Sequence, residues 1–147
     1  MKLKFQRRLN ASTTLVWDKL LSPETLDFVA SPILVFNYQS EKPVKWIEGN
    51  YIVELKLFGF IPFGPQTISI SFPNSNSNTL YLRDNGYSNL ITKWDHLISL
   101  ESLGDHTLYT DNLEVRAGIL TPIIWIFGLL FYSHRQRRWV KLINQLS

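Results

Sequence analysis

From Ile119 to Tyr132 nearly every residue is apolar, and His134, Arg135, Arg137, Arg138 and Lys141 follow at once. Any fold open to this chain has to cover that segment. A helix that crosses a bilayer needs about 20 apolar residues, the run here covers about 14, and Pro122 and Gly128 interrupt it. The segment is therefore expected to be a long core helix, with the strands upstream supplying its cover. At 100° per residue, Ile124, Trp125, Gly128, Tyr132, Arg135, Trp139, Leu142, Ile143 and Leu146 share the face to be gripped. The opposite face reads Ile123, Ile126, Phe127 and Leu130, then His134, Arg137, Arg138, Lys141 and Asn144, so its first half is apolar and its second half basic.

Upstream the period changes from 3.6 to 2. KLKFQRRLN sets Leu3, Phe5 and Leu9 against Lys2, Lys4, Gln6 and Arg8, a strand with one wet face. Ser12 or Thr13 then caps a short helix through Trp17 to Leu21, and Ser22-Pro23 ends it and opens a second. ILVFNYQ, a turn at EKPVKW, YIVELKLFG, TISISF, TLYLRDNGY, NLITKWDHLISLE and HTLYTDNLEVRAG are all strand-like and joined by Gly, Pro, Asn or Asp turns. NSNSN at 74–78 has the composition of a hairpin tip. Strands in sequence with helices at the ends predict an α+β domain: six to seven antiparallel strands, two short helices after the first, and one long closing helix.

A chain of 147 residues fits one domain, and at that size roughly 70% of the unfolded surface can be buried. Residues 1–147 are read as that single unit. The 14% aromatic content predicts a large core or a lined cavity. No cysteine is present, which excludes disulfides, thiolate metal sites and cysteine nucleophiles. The three histidines lack metal-ligand spacing, no glycine-rich phosphate loop occurs, and no metal or cofactor is expected. MKLKFQRRLN has no apolar h-region, so it is not read as a signal peptide, and a cytoplasmic location is expected. The net charge is +3, with Lys2, Lys4, Arg7 and Arg8 at one end and four bases after residue 119 at the other. If the ends meet, they form one basic surface. Nucleic acid is not an expected partner, because the aromatics alternate into the core instead of interleaving with those bases.

The order of these pieces resembles the SRPBCC superfamily, which contains START lipid-transfer domains, the major birch-pollen allergen family and polyketide cyclase/dehydrase-like proteins. The resemblance rests on AST followed by VWDKL, the KWIEG turn, the strands WDHLISL and YTDNLEV, and the final FYSHRQRRW, and it spans almost the whole chain. It implies a helix-grip fold, a curved antiparallel sheet around a long C-terminal helix with a ligand cavity between them. It implies no particular reaction, since carriers, enzymes and regulatory modules share the fold.

Alternation assigns the inner faces independently. Trp94, His96, Ile98 and Leu100 share one, as do Thr107, Tyr109, Asp111, Leu113 and Val115; Tyr51, Val53, Leu55 and Leu57; and Gln66, Ile68, Ile70 and Phe72. An apolar lining with a few polar groups is the usual form of a small-molecule site. Ligand contacts are expected from Trp94, His96, Tyr109, Asp111, Tyr51, Val53, Leu55, Ile68, Ile70, Phe72, Trp125 and Tyr132, with Arg135 as a further polar group, and the ligand class is a hydrophobic small molecule or lipid. LFGFIPFG, carrying Phe58, Phe60, Ile61 and Phe63, reads as an exposed gate loop.

His96 and Asp111 are the one pair with catalytic character, as the acid/base of a cyclase- or dehydratase-like enzyme, although a core carboxylate is usually satisfied by a backbone N–H, a Tyr hydroxyl or an Arg, and an inward His is more often a hydrogen-bonded core residue. Ile123, Phe127 and Leu130 beside Arg137, Arg138 and Lys141 suit peripheral contact with a membrane or, as a third class, a homodimer seam. Large aromatics could also fill the cavity entirely.

Overall fold

The computed structural model describes residues 1–76 and 78–146. Its elements are β1 (Lys2–Leu9), α1 (Thr13–Leu20), α2 (Pro23–Ala30), β2 (Leu34–Tyr38), β3 (Gly49–Leu57), β4 (Ile61–Ser71), β5 (Thr79–Gly86), β6 (Lys93–Ser102), β7 (Thr107–Arg116), a 3₁₀ turn at Gly118–Leu120 and α3 (Thr121–Leu146). The seven strands form one antiparallel sheet in the order β1-β7-β6-β5-β4-β3-β2. Consecutive strands from β2 to β7 are neighbours, and only β1 crosses over, pairing with β7 from Lys2↔Glu114 to Leu9↔Thr107. This is the helix-grip arrangement. Ser12 caps α1 by accepting the Leu15 N–H, and Pro23 opens α2, as the sequence anticipates.

The grip divides α3 into two apolar halves. Trp139 and Ile143 pack with Leu9, Val16, Leu20, Val53, Ile98 and Leu100. Ile124, Phe131 and Tyr132 pack with Leu3, Leu34, Ile91, Leu113 and Val115. Each fully buried aliphatic side chain in these sets contributes about 1.5–3 kcal/mol of transfer free energy. Gly128 brings the helix close to the sheet: a Cβ there would stand 3.1 Å from Leu3 Cδ1 and 3.2 Å from Leu113 Cδ2. Between the halves lies a band of buried polar side chains, His96, Asp111, Arg135 and Gln136.

Several expectations need correction. LFGFIPFG is not a loop. Only Phe58, Gly59 and Phe60 form the β3–β4 tip, with Phe58 and Gly59 at positive φ, while Ile61 and Phe63 already belong to β4. Pro62 and Pro65 are tolerated in that strand because its first part pairs with β3 alone; the β4–β5 ladder holds only at Ile70↔Asp84 and Ser71↔Arg83, with an isolated bridge at Thr67↔Tyr87. Trp46, read as part of a turn, is buried, and its N–H donates to the Leu21 carbonyl. Leu146, assigned to the gripped face, is exposed, whereas Phe131 and Gln136 are buried with it.

Of the bases in β1, Lys2 and Lys4 line a groove on the outer face of the sheet beside Asp95 and Glu114, whereas α3 packs on the inner face. The 74–78 tip includes Ser77, which lies outside the described residues. Among the described residues no helix is long and apolar enough to cross a membrane.

Candidate functional site

Where β4 and β5 part, the sheet leaves space above α3. The register stays constant from Ile70↔Asp84 to Thr67↔Tyr87, but the ladder between those pairs is open. The Ser69 N–H in this gap donates to Asp84 Oδ1 at 2.9 Å, so a side chain replaces a strand carbonyl. A cavity of about 80 Å³ lies against the gap. Its apolar walls are Leu26, Leu34, Phe36, Leu55, Phe63, Ile68, Ile91, Phe127 and Phe131, and its polar groups are Gln66, Asp84, Trp94, His96, Tyr132 and Arg135. A smaller one of about 50 Å³ runs toward Trp46, Ile70 and Trp139 and shares Leu26, Ile68, Asp84, His96 and Arg135 with the first. Asp84, His96 and Arg135 therefore form a polar waist between two apolar pockets. The larger pocket has room for only a few water molecules, and it is well below the roughly 300 Å³ of a drug-sized site.

Behind the waist lies a hydrogen-bonded cluster. His96 Nε2 and Asp111 Oδ1 are 2.6 Å apart, the Tyr109 hydroxyl donates to the same oxygen at 3.1 Å, and Gln136 Nε2 donates to Asp111 Oδ2 at 3.1 Å. Burial pushes the Asp111 carboxyl upward, but the interaction with His96, the charge of Arg135 and the Gln136 donor together hold it below the ordinary carboxylate range. Burial also lowers the His96 pKa, against the opposing pull of Asp111. The pair therefore holds one proton at neutral pH, on Nε2 of a neutral imidazole facing an ionised carboxylate. That leaves His96 Nδ1 as an acceptor with no donor among the described residues.

Arg135 is 5% exposed, and burial works against its charge, yet the Tyr109 and Asp111 groups keep the guanidinium protonated. Its one hydrogen bond among the described residues runs from Nη2 to the Tyr109 hydroxyl at 3.1 Å; Nε stands 3.8 Å from Asp111 Oδ1, too far to bond. Arg135 Nε and Gln66 Oε1 are both buried without a partner. Asp84 keeps partial access to solvent, and its carboxyl is pushed up to about 7 by burial, against the Ser69 hydrogen bond and the Arg135 charge. Trp94 Nε1 donates to the Tyr132 hydroxyl at 3.2 Å, and the Tyr132 ring meets His96 edge-on at 4.8 Å.

The structure brings together Trp94, His96, Leu55, Ile68, Tyr132 and Phe63 on the larger cavity and Ile70 on the smaller. Tyr109 and Asp111 stand one layer behind, and Val53 is buried in the neighbouring core. Three residues lie away from the cavity. Phe72 falls beyond the end of β4, 37% exposed and edge-on to Trp17, because alternation carried past a strand end no longer fixes a face. Trp125 donates to the Lys2 carbonyl at the sheet margin, and Tyr51 packs on Trp46 with its hydroxyl bonded to the Ile47 carbonyl. Phe58, Phe60 and Ile61 are exposed at the hairpin.

Asp84 is the polar residue that the sequence reading missed, although Leu80, Leu82 and Asp84 share one face by the same alternation. Phe127, placed on the outer stripe, is half-buried, lines the cavity and stacks on Phe131 with centroids 5.8 Å apart. Arg138 is not a free base: it donates to the Phe28 carbonyl and lies 4.0 Å over the Phe28 ring.

No family model matches the chain, and no curated protein sequence is similar to it. Solved structures are similar in fold. A START superfamily protein from Mycobacterium smegmatis superposes with a TM-score of 0.65 at 14% identity, covering 99% of both chains. The Zhui aromatase/cyclase from a Streptomyces species gives 0.65 at 10% identity over 99% of this chain and 94% of its own. A protein from Nitrosomonas europaea gives 0.70 at 15% identity over 100% and 96%. At these identities the likeness is one of fold, the SRPBCC-type helix grip.

Proposed function

We propose that this helix-grip chain binds a hydrophobic small molecule or lipid, non-covalently, in the cavity between the sheet and α3. The observation that carries the reading is the mismatch inside the cavity: apolar walls close on a buried guanidinium with one hydrogen bond and on a buried Gln66 oxygen with none. Buried polar groups without partners cost about 1–3 kcal/mol each, and a ligand head group removes that cost. The walls supply affinity at about 25 cal/mol per Å² before ordering costs. Because the space is small, the head and its first carbons occupy the waist, and a longer chain displaces Phe63 and Phe127 at the mouth. Fluorescence titration of Trp94 with fatty acids, quinones and sterols tests the reading; the expected result is saturable quenching by one class, and no response to any class refutes it. Extraction of the purified protein and mass spectrometry identifies a ligand that co-purifies.

A second reading is supported by the 2.6 Å contact between His96 and Asp111. A neutral His96 with Nδ1 open and Nε2–H held by a carboxylate is oriented to take a proton from a bound carbonyl compound. Replacing His96 by Gln then abolishes turnover and spares binding; equal loss of both favours the carrier.

The mouth itself fits an anionic membrane surface as the source of the ligand. Phe58, Phe60 and Ile61 on the hairpin and Ile123, Ile126 and Leu130 on α3 are exposed, and α3 continues into exposed Arg137 and Lys141 with no acidic residue along it. Flotation with vesicles containing phosphatidylserine, but not with phosphatidylcholine alone, is the expected outcome. Equal flotation with both removes the role of the bases, and a dimer in sedimentation with no flotation assigns the patch to self-association instead.

A further inference from the structure

We propose that the ligand is a carboxylic acid, held as a carboxylate by Arg135 while its second oxygen shares a proton with Asp84. The inference rests on the cavity being a ligand site and names the chemistry of its head group.

Donors and acceptors at the waist define that chemistry. Arg135 has five N–H groups and one hydrogen bond to protein. Its nearest counterion does not bond it: Asp111 Oδ1 accepts from His96 and Tyr109 and stands 3.8 Å from Arg135 Nε, and Oδ2 accepts from Gln136. The open N–H groups of a full charge inside an apolar cavity call for an anionic, planar acceptor, and a carboxylate matches the guanidinium fork. A hydroxyl or a ketone offers one oxygen and no charge.

Across the waist stands Asp84. Its Oδ1 accepts from the Ser69 N–H, and Oδ2 has no hydrogen bond to protein among the described residues. Two carboxylates in one site do not both stay ionised, and the stable arrangement is an acid–carboxylate pair with one proton between them. The groups acting on Asp84 favour this. Gln66 and Ser69 face it from β4, His96 from β6, and Arg135 and Tyr132 from α3, while the charge of Asp95 acts on it from the outer face of β6. Burial already brings the Asp84 proton to the neutral range, so little work is needed to retain it when a second carboxylate arrives. The waist also explains the paired pockets. With the head group at Asp84 and Arg135, the larger pocket receives the chain and the smaller one receives a short branch or water.

The test is calorimetric and fluorescence titration with octanoic acid, methyl octanoate and octanol between about pH 5.5 and 8.5, on the full chain and on Asp84→Asn. Octanoate is expected to bind at least tenfold more tightly than its ester or the alcohol near neutral pH, and its affinity to fall about tenfold per pH unit on the alkaline side because the bound state holds one more proton. Asp84→Asn, whose amide donates without titrating, flattens that profile and retains binding at the alkaline end. Arg135→Gln removes the preference for the acid, with circular dichroism and urea unfolding as the check on its fold. If acid, ester and alcohol bind alike and without dependence on pH, the acid proposal falls and the cavity reading stands. Failure of all three to bind at any pH overturns the acid proposal, and the cavity reading is then decided by the titrations with quinones and sterols.

Discussion

The Asp84 carboxyl makes a stability prediction that needs no ligand. Its proton is held with a pKa of about 7 in the folded chain, against an ordinary value of 3.8. The folded state therefore binds a proton that the unfolded state has released, so stability falls as pH rises between those two values and levels off above the higher one. For a group with these two values, raising the pH from about 5 to 8 removes about 2.5 kcal/mol; partial solvent access to Asp84 reduces this to about 1–2 kcal/mol. Asp84→Asn keeps the shape and the acceptor for the Ser69 N–H but does not titrate. Urea unfolding of both proteins at the two pH values isolates the effect, since every other titrating group is common to them. With an m-value of about 1–3 kcal/mol/M, the midpoint of the parent is expected to drop by roughly 0.5–1 M more than that of the variant. Parallel pH profiles in the two proteins would refute the placement of a desolvated carboxyl at the β4–β5 gap.

Other substitutions test the frame around the site. A Cβ on Gly86 would stand 2.8 Å from the Thr67 carbonyl oxygen, a backbone atom that cannot turn away, so Gly86→Ala is expected to cost about 1–3 kcal/mol in urea unfolding. Arg138→Ala loses the contact over the Phe28 ring and the bond to the Phe28 carbonyl, and a loss of about 1–2 kcal/mol distinguishes it from the exposed Arg137, whose alanine variant is expected within about 0.5 kcal/mol of the parent. Asp111→Asn leaves Arg135 without its nearest anion and is expected to cost about 3–5 kcal/mol at neutral pH. Since the folded Asp111 carboxyl lies below its ordinary value, that difference is lost as pH falls through the folded value; thermal melts of both proteins down to about pH 3 follow the convergence.

The inner faces of β6 and β7 were legible because both strands run ten residues in constant register without a bulge, and one period-2 rule places Trp94, His96, Tyr109 and Asp111 together on the grip side. The helix face containing Tyr132, Arg135 and Trp139 was legible for the same reason at period 3.6. What sequence periodicity did not carry is tertiary. Pro62 and Pro65 argue against a strand unless the neighbouring ladder is known to be open, and that opening is a property of β5, which leaves β4 after Ile70↔Asp84. Phe127 sits at the border of two faces, and Phe131 and the cavity mouth decide which one it joins. Trp46 is drawn from a long connection into the core by a contact with Leu21 at the end of α1, twenty-five positions away, for which no local pattern exists. Asp84 shares the inner face of β5 with Leu80 and Leu82, and only the open ladder to β4 beside it, a tertiary feature, sets it apart.

That missing ladder and the polar waist have one physical origin. An interior built for stability alone would continue the pairing of Ile68 and Ser69 with β5 and place an apolar side chain at residue 135, since replacing buried ion pairs by packed hydrophobic groups is often neutral or stabilising by about 1–4 kcal/mol. Here the chain does the reverse at three adjacent points: the ladder opens, a carboxyl substitutes for a strand carbonyl at Ser69, and a guanidinium with one hydrogen bond faces the gap. Each departure destabilises the empty protein, and all three converge on one cavity. Filling that cavity with a head group that accepts from Arg135 and bonds Asp84 removes the costs together, so bound ligand is expected to raise stability by more than apolar burial alone accounts for. The comparison between octanoate and its methyl ester, which bury nearly the same chain, measures that excess directly as a difference in melting temperature at saturation.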